Sequence, residues 1–157
     1  MSGYRNDKIV SRLQLEKILS SLRNTRTIIC ACGCFEVFHI GHLEYLEGAK
    51  ELGDILIVGI NTDHYIKTKK GREPLFNELD RCKIISSIQC VDYVFLFGEE
   101  TFDTSLCKLL PDYFVKGCDR MEVLEEKTAT DRGIKIKKIG QSKRSSSSAL
   151  RKYFFAD

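Results

Sequence analysis

Apolar residues recur along this chain with two alternating periods. Residues 8–23 carry Leu15, Ile18, Leu19 and Leu22 at i, i+3, i+4 and i+7, the stripe of an amphipathic helix. Residues 27–32 are nearly all apolar and run into Gly33, as expected of a strand buried on both faces. The helical pattern returns over 40–52, with Gly53 placed as its C-terminal cap. Residues 54–60 form a second buried-strand run, rich in β-branched side chains. The polar stretch from Lys67 through Lys70, Gly71 and Arg72 to Pro74 carries turn formers and reads as a loop. A helix over 77–89 and a strand over 91–97 follow. Phe102, Leu106, Leu109 and Leu110 then mark a helix that Pro111 stops. A strand over 113–115, a weakly patterned stretch over 121–130 and a strand over 134–139 complete the alternation. After them come a Ser/Lys/Arg loop over 141–148 and a short helix over 149–154.

Strands separated by helical segments imply βαβ units. The fold class is therefore α/β, a doubly wound parallel sheet of about five strands with helices on both faces. No repeat or linker interrupts it. The 157 residues read as a single domain over 1–157, with a lead-in and helix over 1–26 and the core over 27–157. Ligands of such sheets bind beyond the carboxyl ends of the strands, which directs attention to the loops after strands.

Composition narrows the function classes. Hydrophobic residues make up 43% and charged residues 30%, an ordinary globular balance. A net charge of +3 is too small to imply a nucleic-acid partner, and no strand shows the aromatic stacking pattern of an RNA-binding module. The basic residues cluster at 67–72 and 135–144, which suits an anionic small ligand. Seven cysteines without C-x-x-C spacing read as reduced core thiols rather than a metal site. Cys30, Cys32 and Cys34 alternate, so they share one strand face. No segment reads as a signal peptide and no apolar run reaches the ~20 residues of a membrane helix, so the expected location is the cytoplasm, without membrane association.

The loop after the first strand holds the candidate chemistry: Gly33-Cys34-Phe35-Glu36-Val37-Phe38-His39-Ile40-Gly41-His42. Two histidines flank a glycine where a helix begins. Backbone N–H groups and the dipole at a helix N-terminus both favour an anion. Imidazoles three residues apart can donate to the same phosphate oxygens as these gain charge. Gly41 leaves the first turn without a side chain, so a nucleotide can approach the backbone.

This run resembles the G-x-F-D-x-x-H-x-G-H signature of the cytidylyltransferase-like nucleotidyltransferases, a Rossmann-like group. The string His39-Ile40-Gly41-His42 is also similar to a signature of class I aminoacyl-tRNA synthetases, but those need anticodon and acceptor-stem modules for which 157 residues leave no room. Within the transferase group the resemblance is nearest to the adenylyltransferases that act on heptose 1-phosphate. It continues through Leu52-Gly53-Asp54, Asn61-Thr62-Asp63, Asp80-Arg81, Val91-Asp92-Tyr93-Val94, Val115-Lys116-Gly117-Cys118-Asp119 and residues 144–150.

The resemblance implies roles residue by residue. Gly33, Cys34, Phe35 and Gly41 shape the nucleotide loop. His39 and His42 contact the phosphates and stabilise departing pyrophosphate. Lys70, with Lys67, brings cations to the triphosphate or the sugar phosphate, and Arg81 holds the triphosphate. Lys116, Gly117 and Asp119 lie under the nucleoside, while Ser146, Ser147 and Ser148 bind phosphate at the start of a helix. The implied substrates are ATP, carrying Mg²⁺, and a phosphorylated small molecule, and the implied assembly is a homodimer. Phe95, Phe97 and Phe102 could serve either a core or such an interface. Three positions depart from the family pattern: Glu36 for Asp, Cys32 for Asn and Cys118 for Gly.

A sugar phosphate is already an anionic nucleophile, so attack on the α-phosphorus needs positioning and charge neutralisation rather than a general base. Two alternatives remain: the same chemistry with CTP and glycerol 3-phosphate or a phospho-alcohol, and a nucleotide-binding sensor or subunit without turnover.

Overall fold

The computed structural model describes residues 7–118 and 121–140. Among the described residues eleven elements follow in order: α1 (Arg12–Leu22), β1 (Ile28–Gly33), α2 (Ile40–Lys50), β2 (Ile55–Asn61), α3 (Asp63–Lys70), α4 (Glu78–Ser86), β3 (Tyr93–Phe97), α5 (Asp103–Leu109), β4 (Tyr113–Gly117), α6 (Glu126–Asp131) and β5 (Lys135–Ile139). The five strands form one parallel sheet in the order β3-β2-β1-β4-β5. This is the expected Rossmann-like α/β arrangement. The chain winds outward from β1 through β2 to β3, then crosses to the other side of β1 for β4. The carboxyl ends of β1 and β4 therefore border the point where strand order reverses.

Burial follows the apolar runs. Every residue of β2 and the first four of β1 are buried, because helices cover both faces. Leu15 and Leu19 of α1 pack with Phe95, Phe97, Phe102, Leu106 and Phe114 on one face. Tyr45, Leu46 and Ala49 of α2 pack with Cys82 and Ile85 of α4 on the other. Phe102 stacks on Phe114 with centroids 5.3 Å apart and meets Phe97 edge-on at 4.9 Å. Phe95, Phe97 and Phe102 thus belong to the core. Cys30 and Cys32 share the face of α1 and α5, as their alternation predicts, whereas Cys34 lies beyond the end of β1 and is not part of that face.

Several boundaries differ from the sequence expectation. The first helix starts at Arg12 rather than Lys8, because Ser11 and Gln14 form a capping box. Residues ahead of it instead add to the β3 edge: Val94 N–H donates to the Lys8 carbonyl at 2.8 Å, and Val10 N–H to the Val94 carbonyl at 3.0 Å. Gly53 does not cap α2, whose C-cap is Glu51 in the right-handed region. Its hydrogen side chain is needed for space, since a Cβ there would lie 2.6 Å from Thr27 Cγ2 and 2.7 Å from Ile29 Cδ1.

The stretch read as a loop from Lys67 is helical through Lys70. Thr62 caps α3 at its start, Gly71 ends it in the left-handed conformation at φ 63°, and Lys67, Lys69 and Lys70 complement the dipole in the last turn. α4 is shorter than its pattern and begins at the Asn77 cap. The weakly patterned stretch contains the short α6. The loop over 141–148 and the helix over 149–154 lie outside the described residues.

Candidate active site

β1 delivers the chain to the carboxyl edge of the sheet, where Phe35 adopts a left-handed φ of 48°. A non-glycine residue in that region is strained, and such strain persists only where the surroundings fix it. Here the Phe35 ring folds back over Gly33, where an added Cβ would sit 3.1 Å from Phe35 Cε2. Phe35 is 5% exposed and meets the His42 ring edge-on at 5.1 Å. Phe38 stacks on the same ring at 5.7 Å. The loop is thereby a packed turn.

His39 is the N-cap of α2, and its Nδ1 accepts the Gly41 N–H at 3.1 Å. An accepting Nδ1 carries no proton, so the neutral ring holds its proton on Nε2, available as a donor. Burial shifts the His39 pKa downward from its ordinary value, which favours that neutral form. The His39 and His42 rings stack with centroids 3.9 Å apart and planes 24° from parallel. The structure thus unites the two expected histidines at a helix N-terminus.

The candidate cations separate on inspection. Lys67 pairs with Glu73 at 2.9 Å on the surface. Lys70 lies 3.5 Å from Glu36 of the histidine loop. Arg81, expected on the triphosphate, is 0% exposed, and each of its three nitrogens has a partner within the protein. Nη1 donates to the Cys34 carbonyl at 2.6 Å, Nε to the Phe76 carbonyl at 3.1 Å and Nη2 to Asp63 Oδ1 at 2.8 Å. It stands behind the loop and ties it to the starts of α3 and α4.

At the end of β4, Lys116 and Gly117 occupy the expected strand terminus. Lys116 Nζ lies 3.0 Å from Glu125 Oε1, 3.7 Å from Cys32 Sγ and 4.9 Å from the centroid of Phe114. Cys34 Sγ is 3.5 Å from Asn61 Oδ1, joining the ends of β1 and β2. Cys118 is exposed, and its N–H donates to the Ile139 carbonyl at 3.1 Å. Asp119, Ser146, Ser147 and Ser148 lie outside the described residues.

Sequence reasoning assigned no role to two buried carboxylates, Glu36 and Glu125, or to Arg72. Glu125 is 3% exposed and also accepts the Phe102 N–H at 3.0 Å. Glu36 is 4% exposed and bonds to both terminal nitrogens of Arg72, with Nη1 at 2.7 Å from Oε1, while Leu75 N–H donates at 3.3 Å. Burial works against the Glu36 charge, but the hydrogen bonds and charge of Arg72, the Leu75 N–H and the Lys70 charge prevail and hold its pKa at about 2.

That depression makes a stability prediction. A carboxyl depressed on folding stabilises the fold fully above its unfolded pKa, and the contribution disappears as pH falls through the folded one. From 4.5 to about 2 the loss is on the order of 3 kcal/mol. Urea unfolding from about pH 5 down to about pH 2 should show this slope in the wild type and lack it in Glu36→Gln. An acid slope unchanged in the variant would assign it to other groups.

Comparison with known proteins points to one family. The profile of the Cytidylyltransferase-like family matches residues 30–153. The Bifunctional protein HldE of Helicobacter pylori J99 is 49% identical over 109 residues, which cover 68% of this chain and 24% of that protein. The HldE of Helicobacter hepaticus is 43% identical over 120 residues, 76% of this chain and 25% of that protein. The chain thus spans about a quarter of the length of these curated relatives. Among solved structures, the lipopolysaccharide core biosynthesis protein of Thermoplasma volcanium aligns with a TM-score of 0.67 at 29% identity, over 75% of this chain and 99% of that one. A pantoate-beta-alanine ligase of Francisella tularensis shares the fold, with a TM-score of 0.64 at 17% identity over 87% of this chain and 67% of that one. With the histidine loop at the strand-order reversal and a family match across most of its length, the chain belongs to the cytidylyltransferase-like family.

Proposed function

We propose that the chain transfers the adenylyl group of ATP to a sugar 1-phosphate, heptose 1-phosphate by its sequence resemblance, and releases pyrophosphate. The observation that carries the reading is the stacked His39–His42 pair at the N-terminus of α2, with His39 fixed as a donor through its own cap. The HldE relatives and the lipopolysaccharide core biosynthesis protein support a sugar acceptor.

A phosphate oxygen of the acceptor attacks the α-phosphorus in line, the new P–O bond forms, and the bond to the β-phosphate oxygen breaks with its electrons leaving on pyrophosphate. His39 and His42 donate to oxygens that gain charge in this step. ATP enters as its magnesium complex. The ion would neutralise charge on the triphosphate as it develops in the transfer. Lys70 supplies positive charge beside the loop, and Lys116 and Gly117 border the nucleoside at the end of β4.

Pyrophosphate release with Mg²⁺ and each of ATP, CTP, GTP and UTP, paired with heptose 1-phosphate, glycerol 3-phosphate or phosphoethanolamine, tests this directly. Release is expected with ATP and heptose 1-phosphate. Release with CTP alone would keep the reaction type and replace the substrates. Nucleotide binding without release in any pair would favour a sensor over an enzyme.

A further inference from the structure

Glu36 is on the histidine loop, three residues before His39, yet its carboxylate meets the segment that follows α3. Arg72 grips both of its oxygens, Leu75 N–H donates to one, and Lys70 Nζ stands 3.5 Å from the other. The lysines of α3's last turn are not equivalent. Lys67 pairs with Glu73 and Lys69 with Glu100, all at the surface, while Lys70 faces the buried carboxylate of the site. At 3.5 Å that contact is an ion pair too long to be a strong hydrogen bond, so it leaves the ammonium's donors for another anion.

The order of strands gives these groups a direction. Along the carboxyl edge of the sheet, β4 brings Lys116 and Gly117, β1 brings the histidine loop, and β2 leads into α3 with Lys70. A nucleotide with its base at β4 and its phosphates at β1 leaves the β2 side for the attacking group. We infer that Glu36 and Arg72 are positioning residues for the acceptor's phosphate: their buried pair fixes the segment after α3 against the histidine loop and so sets where Lys70 meets that phosphate. The inference rests on the transferase reading of the site.

The chemistry of the groups fits this division of labour. A guanidinium fork on a carboxylate fixes orientation as well as distance, whereas a lysine alone is a point charge on a flexible stem. Two cations against one carboxylate leave the trio net positive, which attracts a phosphate monoester. Because Glu36 and His39 share one packed turn, the pair registers the nucleophile's half of the site against the leaving group's half. A misplacement of about 1 Å between such halves can cost ~10²-fold in rate.

The test is steady-state kinetics of the wild type, Glu36→Gln, Arg72→Gln and the double variant, varying ATP and heptose 1-phosphate separately, with urea midpoints alongside. The acceptor KM is expected to rise at least ~10-fold in each single variant while the ATP KM stays within about 3-fold. The double variant should be no worse than the worse single one, since both remove the same strut. Lys69→Gln, which breaks only the surface pair with Glu100, should match the wild type. Arg72 is 28% exposed at its side chain, so Arg72→Gln keeps the test open even if Glu36→Gln fails to fold. An unchanged acceptor KM in Arg72→Gln overturns the inference, as does an equal rise in both KM values. No turnover by the wild type with any nucleotide and acceptor would sink the transferase reading instead. Calorimetric titration of wild type and Arg72→Gln with heptose 1-phosphate then decides the inference: at least ~10-fold weaker binding by the variant supports it, and equal affinities or no binding to either overturn it.

Discussion

Alanine at His39 or at His42 should lower kcat at least ~100-fold, the usual cost of losing one transition-state donor. The two rings stack at 3.9 Å, so they act at one locus, and the double variant should fall well short of the product of the single effects. His39 does two jobs that alanine would remove together. Its Nδ1 caps α2 through the Gly41 N–H, and its Nε2–H is the donor available to phosphate. A lost cap costs ~1 kcal/mol, which lowers stability without explaining a 100-fold loss of turnover. His39→Asn separates the two: asparagine is a good N-cap, so the variant should keep the stability of the helix and still lose turnover. His64, the remaining histidine of the sequence, is exposed on α3 and gives the control, with kcat near wild type in His64→Ala. Near-normal kcat in both His39→Ala and His42→Ala would remove the histidines from the mechanism.

The acid side of the profile adds a second readout. Burial lowers the His39 pKa, so the neutral ring that caps α2 persists below the pH at which an exposed histidine protonates. Protonation places a hydrogen on Nδ1, where the Gly41 N–H is already directed. The cap and the activity should therefore fail together, at a pH below the ordinary histidine value.

What the sequence displays and what it hides divide along physical lines. β1 and β2 are legible because strands buried on both faces leave continuous apolar runs, and the histidine loop is legible because its chemistry is carried by neighbours in sequence. α3 was obscured because Ile66 is its one buried residue among those described, so no apolar stripe marks it, and Gly71 and Pro74 suggested a turn. α6 is similar, with Ala129 as its buried residue. The start of α1 was misplaced although Ser11 and Gln14 spell out the capping box. Ile9 and Val10 ahead of it pair with the β3 edge, a contact that no local pattern shows. In the site, the hidden links are long-range: Glu36 finds Arg72 across 36 residues, and Arg81 reaches Cys34 across 47. No local pattern announces a charged side chain that becomes buried when distant segments close over it.

Arg81 makes that point measurable. Arg81→Met, which keeps much of the volume and removes every donor, should destabilise the protein by about 3–5 kcal/mol, the range for breaking a buried ion pair. The loss has three parts. Asp63, 25% exposed at its side chain, is left without its guanidinium. The Cys34 and Phe76 carbonyls each lose a donor, and an unsatisfied buried carbonyl costs roughly 1–3 kcal/mol. Arg81→Lys should recover only part of this, because one ammonium cannot span acceptors on three segments in fixed directions. For a domain of this length, ~1 kcal/mol corresponds to about 2–4 °C, so the Tm of Arg81→Met should fall by roughly 10 °C. A strut and a ligand predict opposite patterns here. If Arg81 held the triphosphate, the variant would keep its Tm and lose ATP affinity. As the buried tie between the histidine loop, α3 and α4, it should lose stability first. Thermal unfolding with calorimetric titration of ATP well below the variant's Tm separates the two, and an unchanged Tm with weakened ATP binding would return Arg81 to the nucleotide.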